Sequence, residues 1–315
     1  LGPCQTLPYS SDLVYKLENA HLLDGKNLIS WHLEYGKILG KMADRFIKTH
    51  QLAPDGIASH GHTIFHQPSE GISFQLGHGA AIHAITGIKT ISDFRTLDVM
   101  LGGQGAPLVP VGDRMLFSNY DACLNLGGIS NISFEYHGQT IAFDISPCNM
   151  VLNKIIHSLN MSYDDKGQVA RSGRLIPELL DELNRLSYYT LSPPKSLGRE
   201  WVEETVIPLI NKYNNTVADI LHTVCEHIAS KIAKIINQYN LHHILVTGGG
   251  AYHDFLLELL DKHSPNRIEK GANSLIDFKE AIVFAFLGML KSLDMENTYQ
   301  SVTGAKRNSS GGMIC

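Results

Sequence analysis

Charged residues make up only 18% of this 315-residue chain, below the ~25% of an average soluble domain. That shortage excludes a disordered or highly charged tail, because such segments persist through high net charge and little apolar content. Neither sign dominates. The 26 Lys and Arg face 31 Asp and Glu, for a net charge of −5. No basic excess predicts binding to nucleic acid or to an anionic membrane. Long apolar runs are also missing. The longest clean one, Ala281 to Leu290, is far short of the ~20 residues that cross a bilayer.

Cysteine is sparse. Cys4, Cys123, Cys148, Cys225 and Cys315 are scattered, and no two form a C-x-x-C pair. A disulfide framework is excluded, and the thiols read as small buried residues of a reducing, cytoplasmic compartment. The 16 histidines contain no H-E-x-x-H, so no zinc site is predicted and metal ligands stay unassigned. There is no G-x-x-x-x-G-K-[ST] and no convincing G-x-G-x-x-G, which excludes a P-loop and a dinucleotide fingerprint. The chain opens on Leu1 and its first methionine is Met42, so the native start is expected upstream.

What is present is alternation of helical and strand patterns. Tyr35, Ile38, Leu39, Met42, Phe46 and Ile47 recur at helical spacing, and the first fifty residues read as helices. Short strands are expected at Gly56–Ser59, Ile72–Leu76 and Lys89–Ser92, with a short helix over Ala80–Ala84. Then Ala122–Leu126, Ile132–Tyr136 and Thr140–Phe143, joined by Gly127-Gly128 and His137-Gly138-Gln139, form an antiparallel meander. A long amphipathic helix follows over Val217–Gln238, then a buried strand, His243–Thr247, three glycines, and a helix from Asp254. That order is α/β architecture. A last helix is expected over Asp277–Ser292.

Several segments can carry chemistry, and each also has a plain structural reading. Asn125-Leu126-Gly127-Gly128-Ile129-Ser130-Asn131 is a hairpin turn, or a nest of bare amides for phosphate oxygens. Gly248-Gly249-Gly250 is a helix entry, or a place where a nucleotide lies against backbone. Asp144, expected at a strand end, is an N-cap or a general base. Arg95 between Asp93 and Asp98 is a structural ion-pair cluster or a holder of sugar or phosphate. Glu280, expected in the first turn of the last helix, complements the helix dipole or faces a ligand.

In order, these segments resemble the anhydro-N-acetylmuramic acid kinases. The carrying residues are Ser59-His60-Gly61-His62-Thr63, Asp93-Phe94-Arg95 with Asp98, Gly102-Gly103-Gln104-Gly105-Ala106-Pro107-Leu108-Val109-Pro110, Asn125 to Asn131, Phe143-Asp144 to Asn149, Pro193 to Glu200, Gly248 to Gly250, and Ser301 to Ala305. The resemblance implies an α/β fold of two actin-like, ribonuclease H-like ATPase domains around a central cleft. The expected division is residues 1–119, 120–292, and a C-terminal segment 293–315 returning toward the first domain. It implies ATP and Mg2+ as cofactors, a small amino sugar as substrate, and a homodimer. The implied reaction opens 1,6-anhydro-N-acetylmuramic acid with water and phosphorylates its O6, for cell-wall recycling. By the same resemblance Asp144 is the catalytic carboxylate. His60, Arg95, Asp98, Asn149 and Glu280 fall on the sugar side. Asn125, Gly127, Gly128, Ser130, Asn131, Gly248, Gly249 and Gly250 fall on the nucleotide side.

The chain also departs from the family. Members usually read Asp-x-Gly-Pro-Gly-Asn where Asp144-Ile145-Ser146-Pro147-Cys148-Asn149 stands. A side chain at a position needing positive φ would be strained. His62 stands where members usually have Gln. The family's opening strand and its first phosphate loop, Met-Ser-Gly-Thr-Ser-x-Asp-Gly, have no counterpart. Those N-terminal strands are expected to be missing, and the alternative is a catalytically impaired sugar- or nucleotide-binding relative.

Overall fold

The computed structural model describes residues 1–264 and 266–315. Its strands are β1 (Ile57–Ala58), β2 (His62–Gln67), β3 (Ile72–Leu76), β4 (Thr90–Ser92), β5 (Ala122–Leu126), β6 (Ile129–Tyr136), β7 (Gln139–Pro147), β8 (His243–Thr247), β9 (Arg267–Lys270) and β10 (Met313–Ile314). The chain forms two compact units, one of Leu1–Gly112 with Glu280–Cys315 and one of Asp113–Lys279.

In the first unit, β4 pairs in parallel with β1 and antiparallel with β10. The hairpin β2–β3 forms a separate ribbon. Two N-terminal helices, Ser11–Glu18 and Gly25–Thr49, start on side-chain caps from Ser10 and Asp24, which satisfy amides that the first turn leaves open. The last long helix supplies Val283, Phe284, Leu287 and Leu290 to a core with Ile91, Phe94, Leu108 and Val111.

That packing corrects the expected domain bounds. Residues 113–119 and 280–292 change sides, and the break falls at Gly112/Asp113 instead of 119/120. Local pattern sees a continuous helix, Asn273–Ser292. Only the tertiary core shows that its C-terminal half belongs with the first unit.

The second unit is built on one mixed sheet in the order β7-β6-β5-β8-β9. The meander β5–β6–β7 is antiparallel, whereas β5, β8 and β9 run parallel. The helix Val217–Gln238 buries Leu221, Cys225, Ile228 and Ile232, at the i, i+4, i+7, i+11 spacing of one helical face. Its start is capped by Thr216. Ile132, Phe134, Ile145, Leu152, Ile244 and Val246 join the same core.

β6 and β7 run longer than the sequence predicts, β6 starting at Ile129. β7 continues to Pro147, so Asp144 lies inside a strand, not at its end, and caps no helix. β2, β9 and β10 carry too little apolar alternation to stand out in the sequence.

Candidate active site

Register decides the site in the second unit. Cα partners run Thr247–Asn125 across β8 and β5, Asn125–Asn131 across β5 and β6, and Asn131–Asp144 across β6 and β7. Directly paired residues share a face of the sheet. The result is a polar row four strands wide. A bulge between Ser130 and Asn131 aligns Asn131 with Asp144, and bulges re-aim side chains in this way.

Asp144 is held from both sides. The Leu197 N–H donates to its Oδ2 at 2.8 Å. The Tyr188 hydroxyl donates to its carbonyl oxygen at 2.6 Å, and its own N–H donates to the Lys195 carbonyl at 3.2 Å. Burial pushes its carboxyl above the ordinary carboxylate range, against a smaller opposing pull from the Leu197 N–H. A half-buried carboxylate with a raised pKa and an oxygen to spare has the chemistry that a general base needs.

The glycine turns lie next to this row. Gly127-Gly128 follows β5 and Gly248–Gly250 follows its parallel neighbour β8. Both sit at the carboxyl edge, where open α/β sheets bind ligands. Asn149 joins them, its Nδ2 donating to the Leu126 carbonyl at 3.0 Å. Asn149, expected on the sugar side, is thus a strut of the glycine cluster.

The glycines divide into two groups. Gly248 has φ +81°, and a Cβ there would lie 2.5 Å from Asn125 Oδ1. A Cβ on Gly250 would lie 2.7 Å from Leu126 Cβ, and one on Gly127 3.2 Å from Asn125 Nδ2. These three are glycine for packing or backbone reasons. Gly128 and Gly249 are different. Neither has positive φ, and the nearest atoms to an added Cβ are 3.6 Å away, at Met150 Cε and Asn149 Nδ2. Nothing inside the protein requires glycine at either, so their bare amides fit a ligand that approaches the backbone closely.

Ser130 is not part of that surface. It is fully buried, and its Oγ lies 2.9 Å from both the Ser146 carbonyl and the Ser146 Oγ. It pins β6 to β7, which corrects its assignment to the phosphate. Ser146 and Cys148 replace the family glycines without left-handed strain. Cys148 has φ −133°, and Ser146 is not among the residues with positive φ. Burial pushes the Cys148 thiol up to about 12, so it is inert.

In the first unit, Arg95 donates to the Gly105 carbonyl and to His60 Nε2, both at 2.7 Å. The second bond makes Nε2 an acceptor, so the His60 proton sits on Nδ1, which faces the Gly61 carbonyl at 3.1 Å. Burial and then the Arg95 charge hold the imidazole below its ordinary pKa. Burial likewise works against the Arg95 charge, and the exposed carboxylate of Glu280 offsets it. Glu280 lies two turns into its helix, not in the first turn.

The expected Arg95–Asp98 cluster does not form. Asp98 is fully buried, and it accepts from Thr303 Oγ1 and from the Gly105 N–H, both at 2.7 Å. A Cβ on Gly103 would collide with Asp98 Oδ2. Asp98 therefore organises the glycine loop and cannot reach a sugar, which corrects its assignment. His60 and Asp93 also line a cavity of about 100 Å³ with His32, Gln75 and His78, three residues that no sequence motif marks.

Fold and site together define a two-unit α/β protein with bare glycine turns at the carboxyl edge of a mixed sheet. The sequence model of the family described as anhydro-N-acetylmuramic acid kinase matches residues 6–315, and the chain belongs to that family. A relative of that name from Aliivibrio fischeri is 38% identical over 82% of this chain and 74% of its own length. Another of that name, from Francisella tularensis subsp. novicida, is 36% identical over 96% of this chain and 87% of its own. Among solved structures the chain is similar to a ROK hexokinase from Thermus thermophilus, at TM-score 0.36 and 12% identity over 85% of this chain and 88% of that one. That score is too low to add to the family match and the chain's own sheet order.

Proposed function

We propose that the protein is an ATP-dependent kinase that opens 1,6-anhydro-N-acetylmuramic acid and phosphorylates O6, giving N-acetylmuramate 6-phosphate. The carrying observation is the row Asp144–Asn131–Asn125 running across the sheet beside the bare glycine turns. Asp144 takes a proton from water, whose oxygen bonds to the anomeric carbon as the C1–O6 bond breaks. The freed O6 then bonds to the γ-phosphorus, and ADP leaves. Base assistance of this kind contributes ~10²–10⁴-fold, and the phosphoryl group takes over the oxygen that an inverting glycosidase would protonate.

Gly128 and Gly249 offer backbone amides to phosphate oxygens, and Asn125 and Asn131 offer side-chain bonds. Mg2+ takes hard oxygen donors, one or two carboxylates among them, together with substrate phosphates. Asn125 and Asn131 would hold it through their side-chain oxygens, and the ion would supply charge neutralisation. His60, Arg95 and Glu280 are assigned to the sugar. A cytoplasmic, homodimeric enzyme of cell-wall recycling completes the reading. No described helix is long and apolar enough to cross a membrane.

Turnover in 18O-labelled water tests the chemistry. The label should enter the C1 hydroxyl and be absent from the phosphate ester. Label in the phosphate, or no phosphorylated product from folded protein with ATP, magnesium and the anhydro sugar, overturns the reading.

A further inference from the structure

A second cavity, of about 450 Å³, opens in the second unit beside the helix Val217–Gln238. Three lysines line it, Lys195, Lys231 and Lys234, together with the rings of Tyr136, Tyr189 and Tyr239. The lining contains no Asp or Glu. Lys231 and Lys234 lie on one helical face at i, i+3, and Lys195 arrives from the segment after the paired prolines.

None of the three has an ion-pair partner among the described residues. The Lys231 ammonium donates to the Asn184 carbonyl at 3.3 Å and sits 4.5 Å from the centre of the Tyr189 ring. Lys195 sits 4.6 Å from the centre of the Tyr188 ring. Burial first, then the charges of Lys234 and Lys195, push Lys231 down to about 8. Lys195 is lowered in the same way by burial and Lys234. Three ammonium groups that repel one another in a concave, ring-walled space lack the charge that would balance them.

We propose that this cavity is a second anion site, which takes an organic phosphate or polyphosphate of two or more negative charges and modulates the reaction when filled. The lysines would hold the charge as point donors, and the tyrosine rings would cover an attached sugar or base.

Connection to the catalytic carboxylate is direct. Residues 189–193 and Lys195 wall the cavity, and the same segment grips Asp144 at three points, through the Tyr188 hydroxyl, the Lys195 carbonyl and the Leu197 N–H. An anion drawn toward Lys195 acts on the segment that positions Asp144. Binding stands independently of the proposed reaction, whereas modulation rests on Asp144 as its base.

Calorimetry with pyrophosphate and with glucose 6-phosphate, at saturating non-hydrolysable ATP analogue to fill the nucleotide site, tests binding. One further equivalent should bind the wild type. Affinity should fall at least tenfold in Lys231→Gln/Lys234→Gln and persist in Lys231→Arg/Lys234→Arg. Preference for one probe tells a polyphosphate from a phosphosugar. Equal affinity in wild type and the double Gln variant, or no heat from either probe, overturns the site. Lys234→Gln alone, at an exposed position, carries the test should the double variant misfold.

In assays, the better probe should change the wild-type rate at least twofold and leave Lys234→Gln unmoved. An identical response in both overturns modulation. Binding by a protein with no kinase activity would instead count against the proposed function alone.

Discussion

At the residue scale, function has left side chains in costly places. Asp144 is half-buried with its carboxyl pKa raised by that burial. A carboxyl whose folded pKa exceeds its unfolded one contributes stability below the unfolded value and loses it as pH rises through the folded one. At neutral pH the ionised Asp144 therefore weakens the fold. Asp144→Asn keeps an oxygen for the Leu197 N–H and removes the charge. We expect kcat to fall at least 100-fold while Tm stays at or above wild type. A drop in Tm together with near-normal kcat would refute both roles. The pH–rate profile should rise through an apparent pKa above that of a free aspartate, and the Asn variant should lose that limb.

The glycines separate by the same reasoning. Gly128→Ala and Gly249→Ala should fold with wild-type stability and raise KM for ATP several-fold. Gly250→Ala meets Leu126 Cβ at 2.7 Å and should lose about 1–3 kcal/mol, the usual penalty of overpacking. Melts and ATP titrations on the three variants compare them directly. Sequence alone treats all five glycines alike, because it shows neither φ nor what stands opposite a missing Cβ.

At the element scale, the two chain crossings between the units are tied inside the second unit. Asp113 and Lys279, its first and last residues, form a buried ion pair at 2.7 Å, and Ser133 Oγ donates to Asp113 at 2.5 Å. Removing one partner of a buried pair strands the other charge, at about 3–5 kcal/mol. Lys279→Met should therefore lower the unfolding free energy from urea melts by that amount and shift the midpoint down with it, and Lys279→Met/Asp113→Leu should recover part of it. An unchanged midpoint in the single variant would count against the tie. Elements with strong local period were legible. The helix Val217–Gln238 and the strand His243–Thr247 match their expected bounds, since their periodicity is set by nearest neighbours on one face. The local pattern ends β7 early because Asp144 and Pro147 both discourage strand, and pairing to β6 overrides that local preference.

At the scale of the whole molecule, the histidines set the acid response. His227 is buried between the Asn184 side chain and the Tyr189 hydroxyl, and burial pulls its pKa down to about 3. His60 and His253 are lowered by burial as well. A histidine neutral in the fold but protonated when unfolded loses stability as pH falls below its unfolded value of ~6.5, by up to about 1.4 kcal/mol per pH unit. The window for His227 runs from ~6.5 down toward 3, and Asp144 opposes it only weakly in the lower part. Urea midpoints should fall between pH 7 and pH 5. A flat response across that interval would contradict the burial of neutral imidazoles.

The chain by itself determined the family, the α/β order, the general-base candidate and the glycine turns. These are written in contiguous residues, and contiguous residues report short-range sterics and motif chemistry. Tertiary structure alone decided who stands opposite whom. Asp98 is consumed by Thr303, 205 positions away, and Ser130 by Ser146. Thr247, Asn125, Asn131 and Asp144 become one row only through strand register. Lys195 meets Lys231 and Lys234 only because a loop folds back on a helix. The shortage of charge gives the last of these its meaning. In a chain with few charged residues, three lysines without an ion-pair partner among the described residues line one cavity, and no stretch of sequence shows that they meet.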